Sequence, residues 1–347
     1  MLSRQIFGLE RPESPSERLL SRILNKLIHL DLSDDVTVDN RSVPAQGGYA
    51  DVYIGQSRRY GRKVAVKRLR LHVGGNWDVV KNFAKEIRIW SELNHKNVLP
   101  LLGYMIEGNY MSLVSEWMER GSLRSCMPKL STRDLFIMSI GIADGLAYLH
   151  SRNVIHSDLK TDNVLVSLDG TPLLTDFGVS RLESSSTTGY NTETVRGSTR
   201  WLSFEFFEIS DDDLPPPTHN EKTDVWSLGM TILELITGDV PYASIKNDLR
   251  VMFTIVKGLL PSEPTYTGSP SDISLKRYMW SICQVCWTKN PAQRPSAATI
   301  LGKMERYRRD NFAVSSYRYE LRSSSSNSLP AKPVTRCLVL DHTATFL

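Results

Sequence analysis

His156-Ser157-Asp158-Leu159-Lys160-Thr161-Asp162-Asn163, followed eighteen residues after Asp158 by Asp176-Phe177-Gly178, decides how this chain of 347 residues is read. Two polar turns, each flanked by apolar runs (Val164-Leu165-Val166 and Leu173-Leu174), gather carboxylates, an amide and a lysine. Moving a phosphoryl group needs a carboxylate near the acceptor hydroxyl, oxygen ligands for a hard divalent cation, and cations for the phosphates. With each residue type near 5% usage, the set Asp158, Lys160, Asn163, Asp176, Phe177 and Gly178 at fixed offsets arises by chance on the order of 10⁻⁵ times per chain. Polar turns between strands are therefore the weaker reading.

Upstream, Lys67 ends the β-rich run Val64-Ala65-Val66-Lys67, and Glu86 follows nineteen residues later. A helix is expected over 78–93, with Phe83, Glu86, Ile87 and Trp90 on one face by their three- and four-residue spacing. A carboxylate on an apolar face needs a cation, and Lys67 is the natural partner. Alone, Lys67 reads equally as a solvated lysine at a strand end. Strands are expected at 36–38, 51–54 and 63–67, with two more near 98–106 and 111–117. Longer helical segments follow from about 131, so a small strand-rich part precedes a larger helical part, with the boundary near Glu119-Arg120-Gly121. Residues 14–32 read as a further helix packed on the main fold, with a regulatory or partner-binding helix as the alternative, opened by Ser14, Pro15 and Glu17 and carrying Leu19, Leu20, Ile23, Leu24, Leu27 and Ile28 at helical spacing. The acidic, proline-rich stretch 210–217 and the serine-rich tail from about 310 read as loop or disorder.

Over roughly residues 40–309 these motifs resemble the protein kinase family. The resemblance implies an α+β, bilobal protein-kinase fold, with a small β-rich N-lobe holding one key helix and a larger, mainly helical C-lobe. Residues 1–35 would be an N-terminal helical extension, 36–118 the N-lobe, 119–309 the C-lobe and 310–347 a disordered tail. It implies ATP and Mg²⁺, with Asp158 as catalytic base, Asn163 and Asp176 as metal ligands, Lys160 beside the γ-phosphate, and Lys67, paired with Glu86, on the α- and β-phosphates. The glycine-rich loop aligns on Val52 as Ala45-Gln46-Gly47-Gly48-Tyr49-Ala50-Asp51-Val52. Gly47 is its middle glycine, with Gly48 beside it, while the first and third are alanine, which resists positive φ. Leu113 to Met118 resembles the hinge. Backbone groups of Glu116 and Met118 would grip adenine, Ser115 would guard the back pocket, and Val52, Ala65 and Leu165 would wall the ring. Taken singly, each of these reads as core packing.

The activation segment would run from Asp176 to Glu205, with hydroxyls at Ser184–Thr188, Tyr190, Thr192, Thr194 and Ser198. Glu205 would pair with Arg294, His156 would pack behind Phe177, and Asp224 to Gly229 would begin a buried helix anchoring the catalytic loop. Two positions depart from the family pattern. Ser157 stands where His-Arg-Asp has arginine, and Ser203-Phe204-Glu205 stands for Ala-Pro-Glu. Without that arginine one cation for an activation-loop phosphate is missing. Lys160 favours Ser/Thr acceptors, and Trp201 with Cys286-Trp287 leans toward the tyrosine-kinase-like branch, so the expected activity is a non-RD serine/threonine kinase acting on proteins, with tyrosine or dual specificity open. The rival is a pseudokinase, a nucleotide-binding or scaffolding module. A third reading puts the function in 1–35 and 310–347.

Bulk properties narrow the partners. A net charge of +4, from 42 basic and 38 acidic residues, is too weak to argue for nucleic acid. Four cysteines are too sparse for a disulfide scaffold, and Cys283 with Cys286 reads as helix packing rather than zinc. No apolar run of about 18 residues suggests a membrane span, and the N-terminus lacks a signal-peptide core. A soluble, intracellular chain is expected, cytoplasmic or nuclear.

Overall fold

The β-branched and apolar runs between residues 36 and 116 form one antiparallel sheet. The computed structural model describes residues 22, 25–39, 45–46, 50–69, 77–107, 110–177, 198–207 and 217–312. Most of the helix expected over 14–32, Gly47, Gly48, Gly178, the hydroxyls at 184–194, most of the acidic stretch and the tail lie outside those residues. The strands are β1 (Val36–Val38), β2 (Ala45–Gln46), β3 (Ala50–Ser57), β4 (Arg62–Leu69), β5 (Leu101–Glu107) and β6 (Tyr110–Glu116). Their order is β1-β3-β4-β6-β5, with β2 also paired to β3. Side chains alternate between faces along a strand. Val64 and Val66 point into a core with Leu32, Val36, Leu102, Met105 and Val114. Ala65 and Lys67 point the other way, toward the cleft, and register Ala65 opposite Ile54 and Ser115, and Lys67 opposite Val52 and Leu113.

Leu32, which the sequence reading places in the extension, is fully buried in this core. Its N–H donates to the Tyr104 carbonyl at 2.8 Å. The crossing needs Gly103, since a Cβ there would lie 2.2 Å from the Leu30 carbonyl oxygen. Helix α1 (Trp77–Ser91) packs against β5. Its Phe83, Ala84 and Ile87 are fully buried, and Phe83 meets Tyr104 edge-on at 6.3 Å.

The second lobe carries α2 (Leu123–Cys126), α3 (Thr132–Ser151), the hairpin β7 (Val164–Val166) and β8 (Pro172–Leu174), then α4 (Glu221–Thr237), α5 (Asp248–Val256), α6 (Pro270–Cys286) and α7 (Ala297–Asn311). Capping boxes at Ser131/Asp134 and Asn220/Thr223 start α3 and α4. Every residue of α4 from Thr223 to Ile236 is buried, the polar Asp224 and Glu234 among a majority of apolar ones, and α3 and α6 cover it. Gly229 is required there, because a Cβ would lie 2.7 Å from the Cys286 Cβ and from the Trp287 indole. Cys283 and Cys286 are buried and unpaired, as helix packing requires. Burial pushes both thiols up. Residues 308–347 form a unit of their own, of which the end of α7 and Phe312 are described. Among the described residues no helix is long and apolar enough to cross a membrane.

Candidate active site

The loop between α3 and β7 is fastened from below by α4. Asp224, 1% exposed, accepts the N–H groups of His156 at 2.7 Å and Ser157 at 2.8 Å, and contacts His150 Nε2 at 2.9 Å. Two charge-assisted bonds offset the left-handed backbone at Ser157, φ 72°, which costs about 1–2 kcal/mol in a residue with a Cβ. The Ser157 hydroxyl is buried without a hydrogen bond. His156 packs edge-on to Phe177 at 6.3 Å, as expected, and burial lowers its pKa so that the ring is neutral at pH 7.

Beyond that anchor the loop presents its chemistry. Lys160 Nζ donates to both Asp158 oxygens, at 3.1 and 2.9 Å, and to Ser198 Oγ at 2.8 Å. The Asn163 amide nitrogen donates to the Asp158 carbonyl and to its Oδ2, both at 2.7 Å. The amide carbonyl of Asn163 is thereby left for another partner. Thr175 N–H donates to the Asn163 backbone carbonyl at 3.0 Å, which sets Asp176 beside the loop.

Glu234 is part of this frame and was not read from the sequence. Fully buried in α4, it accepts Thr161 N–H at 3.1 Å, Thr161 Oγ1 at 2.8 Å and Trp201 Nε1 at 2.8 Å, with Arg124 at 3.4 Å. Burial raises its pKa against these hydrogen bonds. The available signal was an acid inside the apolar run Ile232-Leu233-Glu234-Leu235-Ile236, where a carboxylate must find donors.

The pairing of Lys67 needs correction. The face assignment of α1 holds, but Lys67 Nζ lies 2.5 Å from Asp176 Oδ1, and among the described residues it forms no ion pair with Glu86. Burial would lower Lys67, yet Asp176 and then Glu86 raise it. Asp176, at φ 59°, is pushed up by burial but held below the usual carboxylate range by Lys67. Burial raises Glu86 to about 7, against the pull of Lys67, and its Oε2 has no hydrogen bond. The lysine goes to the carboxylate that keeps its charge. Phe177 sits between His156 and Trp90 of α1, the latter ring edge-on at 5.5 Å.

The folded pKa of Glu86 lies above its unfolded value, so the stability linked to its proton is present below about pH 4.5 and is lost as pH rises through about 7. Glu86→Gln should gain stability relative to the parent between pH 5 and 8, by at most about 3 kcal/mol. Thermal melts of both proteins across that range should diverge toward the alkaline end, and parallel curves would contradict the burial of a protonated Glu86.

Of the residues read as hinge and adenine walls, Val52, Ala65, Leu165 and Met118 are half-buried. Ser115 is buried, and Ser122 bridges to Leu165. The Glu116 side chain is drawn outward to Arg62 at 2.8 Å. Gly47 and Gly48 are outside the described residues. For a divalent cation the donors are hard oxygens: the Asn163 carbonyl and Asp176, whose side chain is 40% exposed. Among the described residues no cluster of three or more His, Cys, Asp or Glu could hold a metal without help. Two protein ligands completed by substrate phosphates fit this donor set.

Elsewhere in the second lobe Arg294, 1% exposed, forks onto Glu205 at 2.9 and 3.2 Å, the expected pair. Phe204, standing for proline, is buried 6.0 Å from the Trp226 ring. Arg200 donates to the carbonyls of Pro241, Tyr242 and Ile245 and pairs with Asp248 at 2.8 Å.

A family model described as the protein kinase domain matches residues 45–304. The chain is 27% identical over 289 residues to mitogen-activated protein kinase kinase kinase A of Dictyostelium discoideum, covering 81% of this chain and 29% of that protein. It is 33% identical over 260 residues to a probable serine/threonine-protein kinase of the same organism, with coverage of 74% and 48%. It is 27% identical over 283 residues to serine/threonine-protein kinase STY17 of Arabidopsis thaliana, with coverage of 79% and 46%. The chain spans less than half the length of these curated relatives.

Proposed function

The chain belongs to the protein kinase domain family, and on that premise we propose that it transfers the γ-phosphoryl group of ATP to Ser or Thr hydroxyls of protein substrates, with Mg²⁺ as its metal. The observation that carries this reading is the Asp158 carboxylate held by Asn163 and Lys160 at the mouth of the cleft. Asp158 accepts the proton of the incoming hydroxyl. Lys160, which also reaches Ser198 on the acceptor side, offsets charge developing on the transferred group. Lys67 supplies a cation for the remaining phosphates. Mg²⁺, when bound, neutralises phosphate charge, and Asn163 and Asp176 are the residues that would hold it. Lys160 and the names of the relatives support Ser/Thr acceptors. Use of ATP and the unpaired Cys126, Cys283 and Cys286 support an intracellular setting.

Ser157, Phe204 and the alanines at 45 and 50 are the departures that favour the pseudokinase rival. Ser157 keeps its backbone bond to Asp224 and Phe204 fills the space against Trp226, so neither substitution dismantles the site. The test is phosphate incorporation from γ-labelled ATP into a generic basic protein. Chelation with EDTA should abolish it and added Mg²⁺ restore it, whereas incorporation indifferent to the metal would overturn the reading.

Two further outcomes are expected. With Ser157 in place of arginine, replacing every Ser, Thr and Tyr from 184 to 194 by Ala or Phe should leave most activity. A loss beyond about tenfold (about 1.4 kcal/mol) would sink that idea. Ser115, small and opposite Ala65, should admit inhibitors carrying bulky aromatic groups. Ser115→Met should raise their inhibition constants about tenfold or more, as a steric overfill does, and equal inhibition of both forms would count against the hinge placement.

A further inference from the structure

Arg200 is committed to protein atoms at every donor. It lies in the turn Thr199–Trp201, with its side chain 12% exposed. A guanidinium carries five N–H groups and accepts nothing. The Nε group donates to Asp248 Oδ1 at 3.0 Å. Nη1 donates to the carbonyls of Pro241 at 2.9 Å and Tyr242 at 3.0 Å. Nη2 donates to the Ile245 carbonyl at 2.8 Å and lies 2.8 Å from the same Asp248 oxygen. No donor remains for a ligand, so the residue acts on other residues and not on substrate.

The turn that carries Arg200 is tied to two other elements. In α4, Ser227 Oγ donates to the Trp201 carbonyl at 2.9 Å, and Glu234 accepts Trp201 Nε1 at 2.8 Å. In the loop after α3, Lys160 Nζ donates to Ser198 Oγ at 2.8 Å, and Ser198 is the N-cap of the turn. Lys160 also holds both oxygens of Asp158, so the turn stands two hydrogen bonds from the proposed base. Arg200 fastens it to a third element, the connection between α4 and α5 with Asp248, the first residue of α5. That connection contains Tyr242 at φ 56°, a backbone conformation that persists only where the surroundings hold it.

We propose that Arg200 is a positioning residue for the acceptor. By clamping the Ser198–Trp201 turn to Pro241–Asp248, it fixes the surface on which a Ser or Thr of the protein substrate is presented to Asp158. The proposal rests on the kinase reading. In the transfer the bond between the γ-phosphorus and the ADP oxygen breaks, a bond to the acceptor oxygen forms, and the acceptor proton goes to Asp158. Water can take the acceptor's place and then yields inorganic phosphate. Acceptor placement therefore shows in how ATP turnover divides between protein and water. A misplacement of about 1 Å costs up to about 10²-fold in rate. A substrate hydroxyl on a loosened surface bears that loss, and a freely diffusing water needs no such surface.

The test is the ratio of transfer to hydrolysis, measured on the full chain with γ-labelled ATP, Mg²⁺ and a basic Ser/Thr peptide, beside the KM for each substrate. Arg200→Met keeps an unbranched stem and removes every N–H. It should lower the ratio about tenfold or more. The KM for the peptide should rise, with that for ATP within about twofold of the parent. Asp248→Asn keeps an acceptor and loses the charge, and it should lower the ratio about threefold, the size of a partly exposed ion pair. A partly unfolded preparation loses both reactions in proportion and leaves the ratio alone. An Arg200→Met ratio equal to the parent's would overturn the proposal whatever happens to total activity, because Arg200 would then only hold the fold together. Where Arg200→Met does not fold, an unchanged ratio in Asp248→Asn would overturn it. Either result, with a parent that transfers phosphate, leaves the kinase reading standing. A parent that binds ATP and turns none over would overturn the kinase reading, and this proposal with it.

Discussion

Asp158→Asn should lower the rate of the proposed phosphoryl transfer by about 10³-fold, the usual worth of a positioned general base, and leave the affinity for ATP nearly unchanged. The carboxylate makes two contacts with Lys160 and one with Asn163. An amide of the same shape keeps an acceptor for one of these donors and turns an N–H₂ group toward another. It cannot take the proton of an incoming hydroxyl. Because Lys67 is held by Asp176, the residues proposed to meet the phosphates keep their own ion pair when Asp158 is changed. Single-turnover kinetics beside equilibrium nucleotide binding separates the two effects. A comparable loss in both would mean that Asp158 shapes the cleft and does not act in the chemistry.

Arg294→Ala is the largest expected loss of stability, about 3–5 kcal/mol, because it leaves a partner charge without its cation in a closed site. The guanidinium donates to Glu205, to the Lys222 carbonyl at 2.6 Å and to the Thr288 carbonyl at 3.1 Å, and lies 5.1 Å from the centre of the Trp226 ring. Removing it frees all these acceptors at once. For a unit of this size the apparent Tm falls by roughly 10 °C. Arg294→Lys keeps the charge but cannot reproduce the fork, so it falls between. A melting curve within a degree or two of the parent would show that Glu205 finds another donor.

The residues of the candidate site were legible because phosphoryl transfer, the proposed chemistry, fixes both residue type and spacing. Asp158, Lys160, Asn163, Asp176 and Phe177 stand close together, and the Glu205–Arg294 pair forms as expected. Partner choice was less legible. Helical spacing puts Glu86 on the inner face of α1, but it cannot show that Asp176 competes for the same lysine, nor that burial favours the protonated form of Glu86. Glu234 looked like any polar residue in a long apolar helix until Thr161 and Trp201 were seen to converge on it. Leu32 ends the segment read as packing on the main fold and is buried there, but hydrophobic periodicity does not say which strand such a segment crosses. Ser157 was read for the charge it lacks, whereas its left-handed backbone is held through its N–H by Asp224, 67 residues away.

The central claim is that this site moves phosphate onto Ser or Thr hydroxyls. It is tested most directly by incubating the full chain with Mg²⁺, labelled ATP and a basic substrate protein, then mapping the modified residues by mass spectrometry. Phosphoserine and phosphothreonine should appear with the parent and be absent with Asp158→Asn. Phosphotyrosine alone would contradict the acceptor assignment, and no product from a protein that still binds ATP would contradict catalysis itself.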